Sequence, residues 1–195
     1  MNFQQYYFKD LTTMEELTKQ TVAFSGYRTS KITATNLDPM ILFKIKDSVR
    51  KCIINLHERG FRRFITGGSS GFDLIVGKAL LELRATTLSD IKIIVAIPHH
   101  NQYRDYTLNE QSLYLRLIDN ADEVNYISKE YHDTAYLDRN NYMLTHSSLL
   151  VCYYDGQRGG TMYTVNRALR LGYEIINLCE GYNITRSNSR QATLF

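Results

Sequence analysis

At 195 residues, 44% of them hydrophobic and 22% charged, the chain has enough apolar content for one packed domain and an ordinary globular charge density, which excludes wholesale disorder. A formal charge of +3 is compatible with an anionic ligand but falls short of the basic face that strong nonspecific nucleic-acid binding requires. Cys52, Cys152 and Cys179 lie far apart without a CxxC pair, so neither a disulfide framework nor a zinc site is expected. No apolar run approaches the roughly 20 residues of a membrane span, and no basic then apolar leader opens the chain, so a cytoplasmic protein is expected.

Short β-branched or aromatic runs predict strands at Thr21–Phe24, Phe61–Thr66, Ile91–Ile97, Glu123–Ile127, Leu149–Tyr154 and Tyr173–Leu178. IKIIVAIP and SLLVCYYDG are continuously apolar, as in strands buried on both faces of a parallel sheet. Helical spacing alternates with them. Ile41, Ile45, Val49, Cys52, Ile53 and Leu56 share one stripe that Gly60 ends. Further helices are expected after Gly71, from about Tyr106 to Asn120, from Tyr136 to Ser147 and from Thr161 to Leu171. This alternation predicts an α/β fold: a Rossmann-like, doubly wound, mostly parallel sheet of about six strands with helices on both faces. Residues 1–180 form the single domain in this reading, and the polar 181–195 a flexible C-terminal tail.

Open α/β sheets bind ligands beyond the carboxyl ends of their strands, so the segments that follow each strand carry the functional argument. Gly26 and Arg28 follow the first strand, and Gly67, Gly68, Ser69, Gly71 and Asp73 the second. Gly159, Gly160 and Thr161 lead from the fifth strand into the last helix. Glycine lets the backbone turn tightly with its N–H groups towards an anion, and a helix N-terminus adds a positive pole. Two such turns suggest one phosphate-bearing ligand between them, although glycine also serves short turns with no ligand. Arg28, Arg158 and Arg139, the last beside Asn140, offer planar forks suited to phosphate, or are solvated surface charges. Asp73 either accepts from a ribose hydroxyl or complements the dipole of its helix. His99 and His100 are adjacent, point apart and lack a carboxylate at ligand spacing, so an exposed loop is expected there and no metal site. Cys152 reads as core. No Ser/His/Asp set and no carboxylate pair at catalytic spacing emerges, so no catalytic residue is assigned.

Taken in order, VAFSGYR, FITGGSSGFD, IPHHNQYR, YLDRNNYML and VCYYDGQRGGT resemble the YpsA-like family of the SLOG superfamily, over about Thr21 to Leu178. That superfamily also includes the Lonely Guy nucleotide phosphoribohydrolases and the DNA-processing protein A fold. The resemblance implies a Rossmann-like fold and a nucleotide-derivative site. It would place the family's first-loop residues on Gly26 and Arg28, its glycine-rich loop on Gly67, Gly68 and Gly71 with Asp73, its Arg-Asn pair on Arg139 and Asn140, and its last turn on Gly159, Gly160 and Thr161. The phosphoribohydrolases carry a glutamate just after that turn; here Met162, Tyr163, Thr164, Val165 and Asn166 follow. A developing oxocarbenium ion needs an anion or an activated water nearby, so the chain is expected to bind a nucleotide derivative more readily than to cleave one. N-glycosidic hydrolysis, with Asp155 or Asp73 in the missing role, is the alternative.

The ending Gln191-Ala192-Thr193-Leu194-Phe195 resembles the QxxLF-type peptides with which bacterial replication and repair proteins dock on the sliding clamp. Gln191 would hydrogen-bond a pocket, with Leu194 and Phe195 as apolar anchors, giving a third function: a DNA-metabolism adaptor. Alternatively Leu194 and Phe195 could pack on the domain or on a sister subunit of a homo-oligomer.

Overall fold

A computed structural model describes residues 13–35 and 38–184. Its elements run β1 (Thr21–Gly26), α1 (Thr29–Thr35), α2 (Ile41–Glu58), β2 (Arg63–Thr66), α3 (Phe72–Thr86), β3 (Lys92–Ile97), α4 (Leu108–Asn120), β4 (Glu123–Tyr126), α5 (Ala135–Thr145), β5 (Leu149–Tyr153), α6 (Gly160–Arg170) and β6 (Glu174–Asn177). All strand pairings are parallel, in the order β4-β3-β2-β1-β5-β6. The expected α/β Rossmann-like architecture is therefore present, with six strands.

The apolar runs explain the order. Ile93–Ile97 of β3 and all of β5 are buried, as continuous hydrophobic strands must be when helices cover both faces. The edge strands β4 and β6 instead open on exposed glutamates and are at most half-buried beyond them, β4 ending on the exposed Tyr126. Each edge glutamate meets an arginine: Glu123 lies 2.6 Å from Arg63 and Glu174 lies 2.7 Å from Arg59. Charge at an open strand edge discourages pairing with another chain. On α2, Ile45, Val49, Ile53 and Leu56 form the buried stripe, and Gly60, at φ +96°, turns the chain towards β2.

From β1 the chain steps outward through β2 and β3 to β4, then returns to lay β5 on the other side of β1. Right-handed crossovers put α2, α3 and α4 on one face and α5 and α6 on the other. The packing agrees: α2 contacts α3, α3 contacts α4, and α5 contacts α6. The connections leaving β1 and β5, neighbours in the sheet, thus part towards opposite faces, and that divergence opens a crevice at their carboxyl ends.

Three features differ from the expectations of the sequence. The short helix α1 was not anticipated, because seven residues TSKITAT show no apolar stripe. His99 is buried at 7% exposure, with its ring edge-on to Tyr131 and Tyr136, whereas His100 stacks on Tyr126 at 4.1 Å. The expected exposed loop is thus half an aromatic cluster, because consecutive residues point to opposite sides and only one meets solvent. Residues 181–184, at the head of the supposed tail, lie against the domain: Asn177 Nδ2 donates to the Tyr182 carbonyl at 2.9 Å, and Tyr182 packs edge-on to Tyr154. Among the described residues, no helix is long and apolar enough to cross a membrane.

Candidate functional site

Asp73 and Arg139 form the buried centre of the C-terminal rim. Asp73 enters in the first turn of α3, Arg139 from α5, and each side chain is 7% exposed. Arg139 Nη1 donates to Asp73 Oδ2 at 3.4 Å and Nη2 to Ser69 Oγ at 3.1 Å. The Ser69 amide also donates to Asp73 Oδ2, at 3.3 Å. Burial pushes the Asp73 carboxyl above the ordinary range, while the Arg139 charge and the Ser69 amide pull it back. The guanidinium lies over Gly67, where a Cβ would stand 1.4 Å from Nη1. Gly67 is therefore glycine to admit Arg139. Gly68, at φ +62°, is likewise enclosed: its carbonyl accepts from Tyr106, and a Cβ there would meet Tyr114 at 3.2 Å.

Gly71 joins the first and second loops. At φ +88° its backbone lies so close that a Cβ would sit 2.4 Å from the Thr29 nitrogen and 2.5 Å from the Tyr27 carbonyl oxygen. That carbonyl accepts from the Phe72 amide at 3.0 Å. Glu110, at the start of α4, braces the same junction: Oε1 accepts from Thr29 at 2.9 Å and from Ser70 at 2.5 Å, while Oε2 accepts from the Thr107 amide at 3.1 Å. Gly71→Ala is expected to lower unfolding free energy by about 3 kcal/mol or more, since left-handed strain and a backbone clash add. Gly60→Ala has comparable strain (φ +96°) but nothing within 4 Å, and is expected to cost about 1 kcal/mol. Equal midpoint shifts for the two in urea would refute the packing role of Gly71.

Beside this junction lies a cleft of about 370 Å³, lined by the end of β1, the loop after it and α1, by the β2–α3 loop and the start of α3, by α5, and by the β5–α6 loop with the start of α6. Gly26, Arg28, Ser69, Asp73, Arg139, Asn140, Gly159, Gly160 and Thr161 all border it. The N-terminus of α6 opens onto it without a side-chain cap, so its first amides have no carboxylate or hydroxyl in front of them, and no acidic residue stands in its first turn. Gly159 holds φ +143°, and a Cβ on Gly160 would find nothing nearer than Asn140 Nδ2 at 3.9 Å. Lys31 reaches across from α1, donating to the Arg158 carbonyl at 3.0 Å and lying 4.0 Å from the Tyr27 ring centroid. Tyr27 in turn donates to Asp155 Oδ1 at 2.5 Å, tying the β1 loop to the β5 loop.

The two glycine turns expected to act together do not border the cleft together. Gly159, Gly160 and Thr161 border the cleft, whereas Gly67 and Gly68 do not, and Arg139, Gln102 and two tyrosines pack against them. Gly71 borders a second groove with Arg28. Gln191, Leu194 and Phe195 lie outside the described residues. Sequence reasoning missed Tyr27, Ser30, Lys31 and Tyr136, which also border the cleft. Ser30 and Lys31 come from α1, which no periodicity signalled; Tyr136, with Arg28 5.2 Å and Arg139 5.9 Å from its ring centroid, lies three residues before the Arg-Asn pair.

This arrangement matches known proteins along most of its length. Bacillus subtilis YoqJ, an uncharacterized SPbeta prophage-derived protein, is 28% identical over 157 residues, covering 73% of this chain and 91% of its own. A UPF0398 protein of Bacillus cereus is 23% identical over 154 residues, covering 77% and 83%. Two solved structures share the fold. DNA processing protein A of Helicobacter pylori, described for its single-stranded DNA binding mode, superposes with a TM-score of 0.58 at 15% identity, over 93% of this chain and 74% of that one. Its Streptococcus pneumoniae counterpart gives 0.57 at 13%, and this chain spans only 56% of that protein. The YpsA family model, described as the YspA SLOG family, matches residues 22–176, which include every residue lining the cleft, and the chain belongs to that family.

Proposed function

We propose that the cleft binds the phosphate of a nucleotide derivative, and that the protein acts as a ligand-binding or sensing module. The observation that carries this reading is the convergence of the uncapped α6 N-terminus with Arg28, Lys31 and Arg158 on one cleft at the topological switch point. Helix amides and the positive dipole end suit a phosphoryl group, and Asn140 and Ser69 offer uncharged partners for a sugar. Binding rather than cleavage follows from the carboxylates. Asp73 is paired with Arg139, Asp155 accepts from Tyr27 and Gln157, and α6 carries no acid in its first turn.

Isothermal titration with the four nucleoside 5′-monophosphates, ribose 5-phosphate and inorganic phosphate tests the proposal. Saturable binding of at least one phosphorylated nucleoside, tighter than inorganic phosphate by about tenfold or more, is the expected result. No heat from any member of the panel would end it. Free-base release on prolonged incubation would instead favour the hydrolase alternative.

A further inference from the structure

The cleft is not closed on its outer side. Arg28, Ser30 and Tyr136 also form one wall of a second, larger groove of about 1010 Å³, which runs between α2, α3 and α4. Its floor is apolar, with Leu42, Leu74, Ile75 and Leu113. Its borders carry Lys46, Lys78 and Arg116, all exposed. Lys46 and Arg116 have no carboxylate partner among the described residues, and Lys78 has only an exposed contact with Glu82 at 3.8 Å. Of the two carboxylates on the groove, Glu110 is already committed through both oxygens to Thr29, Ser70 and Thr107, which leaves Asp105. Gln102, 5% exposed, also borders it, with its Nε2 donating to the Gly67 carbonyl at 3.2 Å.

Apolar floor and basic border are the complement of a planar base followed by a second phosphate. The wall common to both cavities is itself suited to a nucleotide chain: Arg28 lies over the Tyr136 ring at 5.2 Å, which gives an aromatic face flanked by a cation where the two cavities meet. We infer that the ligand is longer than a mononucleotide: a two-nucleotide unit with one phosphate at the α6 N-terminus and its second nucleotide in the groove bordered by Lys46, Lys78 and Arg116. This rests on the phosphate reading of the smaller cleft. The same chemistry is offered by a free dinucleotide and by the phosphorylated end of a single strand.

The test uses the full chain, with adenosine 5′-monophosphate, the 5′-phosphorylated dinucleotide pApA and the decamer pA10, and with the guanosine, cytidine and uridine sets in parallel. At least one dinucleotide is expected to bind about tenfold or more tighter than its monophosphate. In the Lys78→Glu/Arg116→Glu variant, which alters only exposed side chains, that gain is expected to vanish while monophosphate affinity stays within twofold of the parent. A decamer equal to its dinucleotide assigns the free dinucleotide; a decamer tighter still assigns a strand end. Monophosphate and dinucleotide of equal affinity in the parent protein would overturn the second subsite and leave the cleft reading standing. A gain that persists in the double variant would also overturn it. Absence of binding by every probe would overturn both readings together.

Discussion

Asp73→Ala is expected to lower the unfolding free energy by about 3–5 kcal/mol, measured by urea denaturation at neutral pH, which is a large share of the roughly 5–15 kcal/mol that holds a typical domain together. The reason is the charge left behind. Arg139 is 7% exposed, its Nε already has no partner, and the space beside Gly67 holds its guanidinium with no room for water-mediated relief on that side. Removing the carboxylate leaves that cation buried against the Tyr136 ring and the Ser69 hydroxyl alone, and also orphans the Ser69 amide. Breaking one half of a buried pair costs far more than removing both halves. Asp73→Ala/Arg139→Met should therefore be more stable than Asp73→Ala by about 2 kcal/mol, because methionine fills part of the volume without needing a counter-charge. A single-variant cost under about 1 kcal/mol, or a double variant no better than the single, would show that the pair is solvated and does not organise the rim.

That pair also marks where reading the chain alone stops. The strands were legible because they are continuous apolar runs bounded by turn residues; the structure extends β1 by two residues to Gly26 and trims the others by one or two at their ends. Phe61 and Arg62 precede β2, and Ile127 and Leu178 follow β4 and β6, although the Ile127 and Leu178 amides still donate to the Ile97 and Cys152 carbonyls, as strand ends fray without a sharp boundary. The helical stripe of α2 was equally plain, because Ile45, Val49, Ile53 and Leu56 repeat at helical spacing. The start of α4 was set near Tyr106, two residues early; the Thr107–Glu110 capping box, a local signal, defines it.

What could not be read is any fact that joins residues distant in the chain. Arg139 and Asp73 are 66 positions apart, and nothing local distinguishes an arginine that will meet a phosphate from one that will meet a buried aspartate. Glycines carry the same ambiguity. Gly67, Gly71 and Gly160 look alike as residues of strand-to-helix turns, yet a Cβ would strike Arg139 at the first, backbone at the second and open space at the third. Only the third has room for a side chain. Lys31 and Tyr136 escaped notice for the complementary reason: they lie on helices whose sequence is too short or too polar to reveal which side faces the crevice.

The contrast among those glycines makes Gly160→Asp the sharpest functional variant, with an expected loss of nucleotide affinity of about a hundredfold. A Cβ at Gly160 has no neighbour closer than 3.9 Å, so the substitution needs no rearrangement. An aspartate in the first turn of α6 also complements the helix dipole, which lacks any acidic residue there, so the melting temperature should hold or rise slightly. A phosphate held by the same amides would face that carboxylate at about 4 Å, where two unit charges repel by about 4 kcal/mol at an effective dielectric near 20. Access of water to the open cleft reduces this, which is why the expected loss is about 3 kcal/mol, or roughly two decades, and not more. Gly160→Ala separates charge from shape: it should bind within about threefold of the parent. Titration calorimetry and thermal melting on the three proteins decide the matter. An aspartate variant that melts normally and still binds every nucleotide as the parent does would remove the α6 N-terminus from the site, and with it the reason for locating a phosphate between β1 and β5.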